Sequence, residues 1–134
     1  MKYLLDTCTV SDFVKGEAGV LHRVKDTPPD QIAVSVVTRM EIEYGLLLNP
    51  TRARKLAPIL DQFLSAITVF PFDDADAKSA AAIRAALRQA GRPIGPYDCQ
   101  IAGCGLARGL VLVTSNEGEF RRVSGLRIEN WRLI

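Results

Sequence analysis

Short apolar runs recur along this chain, and between them apolar residues return at helical spacing. Tyr3-Leu4-Leu5-Asp6-Thr7 opens the series, followed by Ile32-Ala33-Val34-Ser35, Ile67-Thr68-Val69-Phe70 and Leu110-Val111-Leu112-Val113-Thr114. Runs that are apolar throughout, rather than alternating with polar residues, mark strands buried on both faces, the pattern of a parallel sheet. A last short strand is expected near Arg127-Ile128-Glu129.

The segments between these runs predict helices. Thr7 and Thr9 can cap a short one through Val10, Phe13 and Val14, ended by Gly16. Val20, Leu21 and Val24 give a second over Glu17 to Lys25, stopped by Pro28-Pro29-Asp30. A third is amphipathic, with Val37, Glu41, Tyr44 and Leu48 along one face, and closes at Asn49-Pro50. Thr51 begins a fourth, whose apolar stripe is Leu56, Ile59, Leu60, Phe63 and Leu64. Asp73 caps an alanine-rich fifth that Gly91 ends, with Arg84 and Arg88 on one side. After an irregular turn from Gly91 to Gly95, Pro96 suits the first position of a helix through Arg108, with Gly109 as its C-cap. Ser115 to Glu119 reads as a polar loop.

Strands alternating with helices define an α/β fold: a central, mostly parallel sheet with helices on both faces, expected as one domain over residues 1–134. The carboxyl ends of parallel strands share one rim, and in open α/β sheets ligands bind there.

Composition narrows the function classes. A chain of 134 residues with 48% hydrophobic content can build one core and is short for two domains. A net charge of +2 is far from that of a polycationic tail, so any contact with nucleic acid must come from local patches. Cys8, Cys99 and Cys104 form no CxxC pair, which argues against a disulfide framework or a thiolate zinc site and reads as small buried residues in a reducing compartment. Asp6 interrupts the first apolar stretch, against a signal peptide, and no run approaches membrane-spanning length, so a cytoplasmic location is expected. The one histidine, His22, excludes a two-histidine ribonuclease mechanism, and GxSxG, Walker, GxGxxG and HExxH motifs are all missing from the sequence.

Acids at strand ends remain. Asp6 closes the first strand, where an aspartate serves equally as helix N-cap or as functional carboxylate. Glu41 ends Thr38-Arg39-Met40-Glu41, which matches a capping box, yet it also lies about one turn into a helix leaving the second strand. Asp98, in the first turn behind Pro96, complements the helix dipole, while the small face of Ile101, Ala102 and Gly105 should hold its helix tight to the sheet and aim the acid into a cleft. Asn116 and Glu119 follow the plainest strand. Carboxylates crowded on one rim repel unless a cation neutralises them, and hard oxygen donors favour Mg²⁺ or Mn²⁺.

In this order and spacing the residues resemble a PIN domain, and more narrowly a VapC-type toxin of a bacterial toxin–antitoxin pair. The resemblance rests on Leu4-Leu5-Asp6-Thr7, Ser35 to Glu41 with Tyr44-Gly45, Ile83-Arg84-Ala85, Gly91 to Asp98, Ile101-Ala102, Leu112 to Asn116 with Glu119-Phe120, and Gly125 to Trp131. It implies a metal-dependent endoribonuclease with Asp6, Glu41 and Asp98 as metal-holding acids and Mg²⁺ or Mn²⁺ as cofactor. At the fourth acidic position of many members this chain carries Asn116, and Glu119 can offer a carboxylate to the same cleft. The likeness also implies in-line hydrolysis by metal-activated water to 5′-phosphate ends, a structured RNA substrate such as tRNA or ribosomal RNA, a homodimer and a cognate VapB-type antitoxin. An apolar groove for that antitoxin is expected at the helices of Val10 to Val14 and Thr51 to Leu64.

RNA contacts are expected from Arg39, Arg84, Arg88, Arg92, Arg121 and Arg122, because phosphate neutralisation supplies most sequence-independent affinity. Two rival readings are weighed. An aspartate-based phosphatase needs a second acid close to Asp6, where Thr7, Cys8 and Thr9 follow instead. A catalytically silent PIN-like binding module would show loss of acids, and Asp6, Glu41 and Asp98 are all present.

Overall fold

The computed structural model describes residues 1–132, so Leu133 and Ile134, at the end of the expected domain, lie outside the described residues. Five strands, β1 (Tyr3–Leu5), β2 (Ile32–Ser35), β3 (Thr68–Phe70), β4 (Val111–Val113) and β5 (Ile128–Glu129), form one sheet in the order β3-β2-β1-β4-β5. Every described pair is parallel, with Leu4 opposite Ala33 on one side and Leu112 on the other. The sheet expected as mostly parallel is wholly so. Its order reverses between β1 and β4, which places the switch-point crevice at the carboxyl ends of those two strands.

Among the described residues seven α-helices join or flank the strands: α1 (Thr7–Lys15), α2 (Ala18–Asp26), α3 (Val36–Leu48), α4 (Pro50–Ala66), α5 (Asp74–Gln89), α6 (Pro96–Ala107) and α7 (Glu117–Phe120). The last lies within the stretch expected as a loop. Phe120, only 1% exposed, is drawn into the core, and the amide of Arg121 closes a helical turn on the carbonyl of Glu117. Of the residues expected to be able to cap α1, it is Asp6 rather than Thr7 or Thr9 that does so, accepting from the amide of Thr9 at 2.9 Å, while Gly16 ends the helix in the left-handed region at φ 81° as expected.

Alternation along the strands builds two cores. Leu4, Ala33 and Leu112 face Ile83, Leu87, Ile101 and Ala102 of α5 and α6 on one side of the sheet. Leu5, Ile32, Val34 and Val113 face Val10, Val20, Leu60, Phe63 and Trp131 on the other. The apolar strand residues are therefore buried from both sides, which is why their sequence runs are continuous.

Two features fix α6, the helix of Asp98. A Cβ on Gly103 would lie 2.8 Å from the backbone nitrogen of Ala80, so only glycine lets α6 press this closely on α5. At the other end of α6, Arg108 stacks over the ring of Phe70 at 4.4 Å, contacts the fully buried Asp76 and reaches Asp73 at 3.3 Å. Asp73 and Asp76 bond reciprocally at the start of α5, so this cluster ties β3, α5 and α6 together.

Candidate active site

The expected acids come from four separate elements. Asp6 leaves β1, Glu41 sits on α3, Asp98 in the first turn of α6 and Glu119 in α7. Asp98 is the meeting point: the charges of Glu119, Glu41 and Asp6 all act on it, and its carboxyl lies within hydrogen-bonding reach of Glu119. Burial first, then the repulsion of those three acids, pushes its pKa up from 3.8 to about 6. Asp6 is 2% exposed and is likewise raised, chiefly by burial, against the opposing bonds from Thr114 and Thr9. Asp6 thus caps α1, and its charge also acts on Asp98.

Glu41 does not serve the capping box expected at Thr38. Ser35 caps α3 instead, its Oγ accepting from the amide of Val37 at 3.0 Å. That cap begins the helix three residues earlier and leaves Glu41 free to face the rim. There it accepts a hydrogen bond from Thr7 Oγ1 at 2.6 Å, and Thr7 in turn stands 3.4 Å from Thr38 Oγ1. Thr7 is a contributor that the sequence reading assigned only to capping.

Asn116 and Glu119 act as a pair, Asn116 Nδ2 donating to Glu119 Oε2 at 3.0 Å. The amide of Asn116 is held by Thr114 Oγ1 at 2.9 Å, so one threonine supports both Asp6 and Asn116. Arg122 Nη1 donates to the carbonyl of Pro93 at 3.1 Å and thereby links the end of α7 to the turn before α6. Its Nε is buried without a partner among the described residues.

The donor set is all oxygen, and every charge found to act on Asp98 is negative. Cys8, at the same rim, is exposed rather than buried as expected, and its thiol is pushed up to about 11 by burial of the sulfur and by Asp6, Asp98 and Asp12. In the metal-free protein it therefore stays protonated near neutral pH. Such a cluster suits a hard divalent cation in chemistry. Among the described residues no three side chains already stand in a cage round one point. Glu41 and Glu119 are instead turned to Thr7 and Asn116.

A cleft of about 440 Å³ runs from Thr7 and Glu41 between α1, α3 and α4, walled by Val14, Leu46 and Leu56. Asp12 and Arg132 line it and are joined by two 2.7 Å hydrogen bonds. Most apolar residues expected to form a groove here are core: Val10, Leu60, Phe63 and Leu64 are buried.

An all-parallel sheet whose switch point gathers acids from β1, α3, α6 and α7 is the architecture of the PIN domain, and the chain belongs to that family: the PIN domain family model matches residues 3–126. Within it the chain falls with the VapC proteins. It is 38% identical over 131 residues to the tRNA(fMet)-specific endonuclease VapC of Shigella flexneri, covering 98% of each chain. It is 34% identical over 132 residues to Ribonuclease VapC2 of Haemophilus influenzae, again covering 98% of both. Among solved structures, the DNA-bound VapBC of Salmonella typhimurium superposes with a TM-score of 0.89 at 37% identity, covering 98% of each chain. Among the described residues no helix is long and apolar enough to cross a membrane.

Proposed function

We propose that this chain is a Mg²⁺- or Mn²⁺-dependent endoribonuclease, the toxin of a VapBC-type pair, acting in the cytoplasm on a structured RNA, with tRNA the favoured substrate. The observation that carries the reading is the convergence on Asp98 of Glu119, Glu41 and Asp6 without a compensating cation. Relatives named as tRNA-specific endonuclease and ribonuclease over 98% of the chain support the same conclusion. A homodimer and a VapB-type antitoxin are part of the proposal, the latter supported by solved VapBC complexes of similar chains.

Asp6 and Asp98 would hold the ion, with Glu41 and Glu119 completing its surroundings. When bound, the ion would supply an activated water and neutralise charge on the phosphate oxygens and the departing 3′ oxygen, chemistry that gives 5′-phosphate ends. The chain's own part is orientation and proton control. The Thr9 amide and Thr114 fix Asp6, Thr7 fixes one oxygen of Glu41, and Asn116 fixes Glu119. Burial and the neighbouring acids hold the Asp98 pKa up at about 6, so Asp98 keeps its proton further above the usual carboxylate range than a free aspartate would.

Purified protein incubated with total RNA and Mg²⁺ or Mn²⁺ tests the reading, with EDTA and Asp98→Asn alongside and the cut ends mapped. Discrete cuts bearing 5′-phosphate that vanish with chelator and variant are expected. Wild type and variant equally inert, while still binding RNA or a partner, would establish the silent binding module instead.

A further inference from the structure

We infer that a cavity on the α5 side of Asp98 is a nucleotide subsite in which Arg84 and Arg88 grip phosphates of the RNA strand next to the cut. The inference deepens the nuclease reading and rests on it for the identity of the ligand. The cavity has a volume of about 280 Å³ and is lined by Arg84 and Arg88 with Leu87, Ile94, Pro96 and Cys99. Pro96 and Cys99 bracket Asp98 in the first turn of α6, so the cavity opens onto the shoulder of the turn that carries the acid.

The chemistry matches a nucleotide better than a small anion. Four residues apart on a helix, the two arginines share one face and are about 6 Å apart along its axis. Among the described residues neither forms a salt bridge. Three other arginines near the site are committed elsewhere: Arg121 to Glu117 at 2.9 Å, Arg122 to the carbonyl of Pro93 at 3.1 Å, and Arg108 to Asp73 and Asp76. Leu87, Ile94 and Pro96 give the cavity an apolar wall against which a base or ribose can lie. A cluster of acids repels a polyanion, and uncommitted guanidinium groups beside it are what allow the strand to approach. Arg84 is near enough for its charge to act on Cys99, the residue after Asp98.

The test is binding of single-stranded RNA oligonucleotides and of tRNA to the full chain in EDTA, as salt is raised from about 0.05 to 0.3 M. Arg84→Gln/Arg88→Gln is compared with wild type and with a control of equal charge loss, Lys25→Gln/Lys78→Gln. Two phosphate contacts contribute about 1.4 to the salt slope at about 0.7 each for a single strand, or roughly 25-fold in affinity at 0.1 M salt. The arginine variant should lose that slope and affinity while melting like wild type, both residues being exposed. An unchanged slope, or an equal loss in the lysine control, overturns the subsite. If wild type binds RNA but cuts none with Mg²⁺ or Mn²⁺, the nuclease reading fails and the slope still decides the subsite. Wild type that binds no RNA overturns both.

Discussion

Asp98→Asn should make the metal-free protein more stable while abolishing cleavage. In the folded chain burial and three neighbouring acids raise Asp98 from 3.8 to about 6. At 1.36 kcal/mol per pKa unit that shift amounts to about 3 kcal/mol, which solvent screening at this partly exposed carboxylate reduces to about 1–2 kcal/mol. The sign follows from linkage. A raised folded-state pKa means that Asp98 favours folding while protonated; that contribution is full below 3.8 and is lost as pH rises through about 6. The variant, neutral at every pH, should therefore match wild type in strong acid, pull ahead between these values and keep a constant lead above them. With an unfolding entropy of about 2.1 cal/mol/K per residue, the lead is a melting temperature about 4–7 °C higher. The assay is thermal unfolding in EDTA at pH 4, 5, 6 and 7.5, with Mn²⁺ added in a parallel series. Equal or lower melting of the variant at pH 7.5, or a lead that does not grow with pH, would refute the view that Asp98 carries uncompensated repulsion.

Three further outcomes follow from single contacts. Thr7→Val removes the donor 2.6 Å from Glu41 without changing side-chain shape; a hydrogen bond to a charged group is worth about 1.5–3 kcal/mol, so the melting temperature should fall by several degrees, and cleavage rates measured well below it should fall at least about 10-fold as Glu41 loses its orientation. Asn116→Asp exchanges a donor to Glu119 for a further negative charge, so calorimetry should show tighter Mn²⁺ binding, and melts in EDTA at pH 7.5 should show a loss of about 1 kcal/mol. Gly103→Ala puts a methyl group 2.8 Å from the Ala80 nitrogen; overpacking of about 1–3 kcal/mol should outweigh the helix-propensity gain of about 1 kcal/mol and lower the melting temperature by several degrees. An unchanged or higher value would show that α5 and α6 separate easily.

Strand positions and the gathering of acids were legible because they depend on local pattern. Leu4 and Leu5 announce burial from both sides, Asp6 stands at a strand end and Asp98 in a first helical turn, and Glu41, in the second turn of α3, still reaches the same rim. What escaped the sequence depends on contacts across the fold. Thr7 reads as a cap until α3, 34 positions on, brings Glu41 to its hydroxyl. Ser35 and Thr38 are both plausible caps, and the choice between them follows from where β2 ends. Cys8 reads as core by residue type, yet its place on α1 turns it to the rim. Gly103 looks like one small residue among several, and only the approach of Ala80 shows why nothing larger fits.

The order of the sheet bears on how this protein is made. β1 pairs with β4, so Leu5 lies beside Val113, and Thr9 of α1 bonds the carbonyl of Val113 at 3.0 Å. During synthesis at about 5–20 residues per second, some 5–20 s separate the emergence of Asp6 from that of Val113. Until then the central strand lacks one neighbour, and Asp6 has no Thr114 beside it. The rim that gathers Asp6, Asp98 and Glu119 is therefore assembled only after β4 and α7 have followed β1 out of the ribosome.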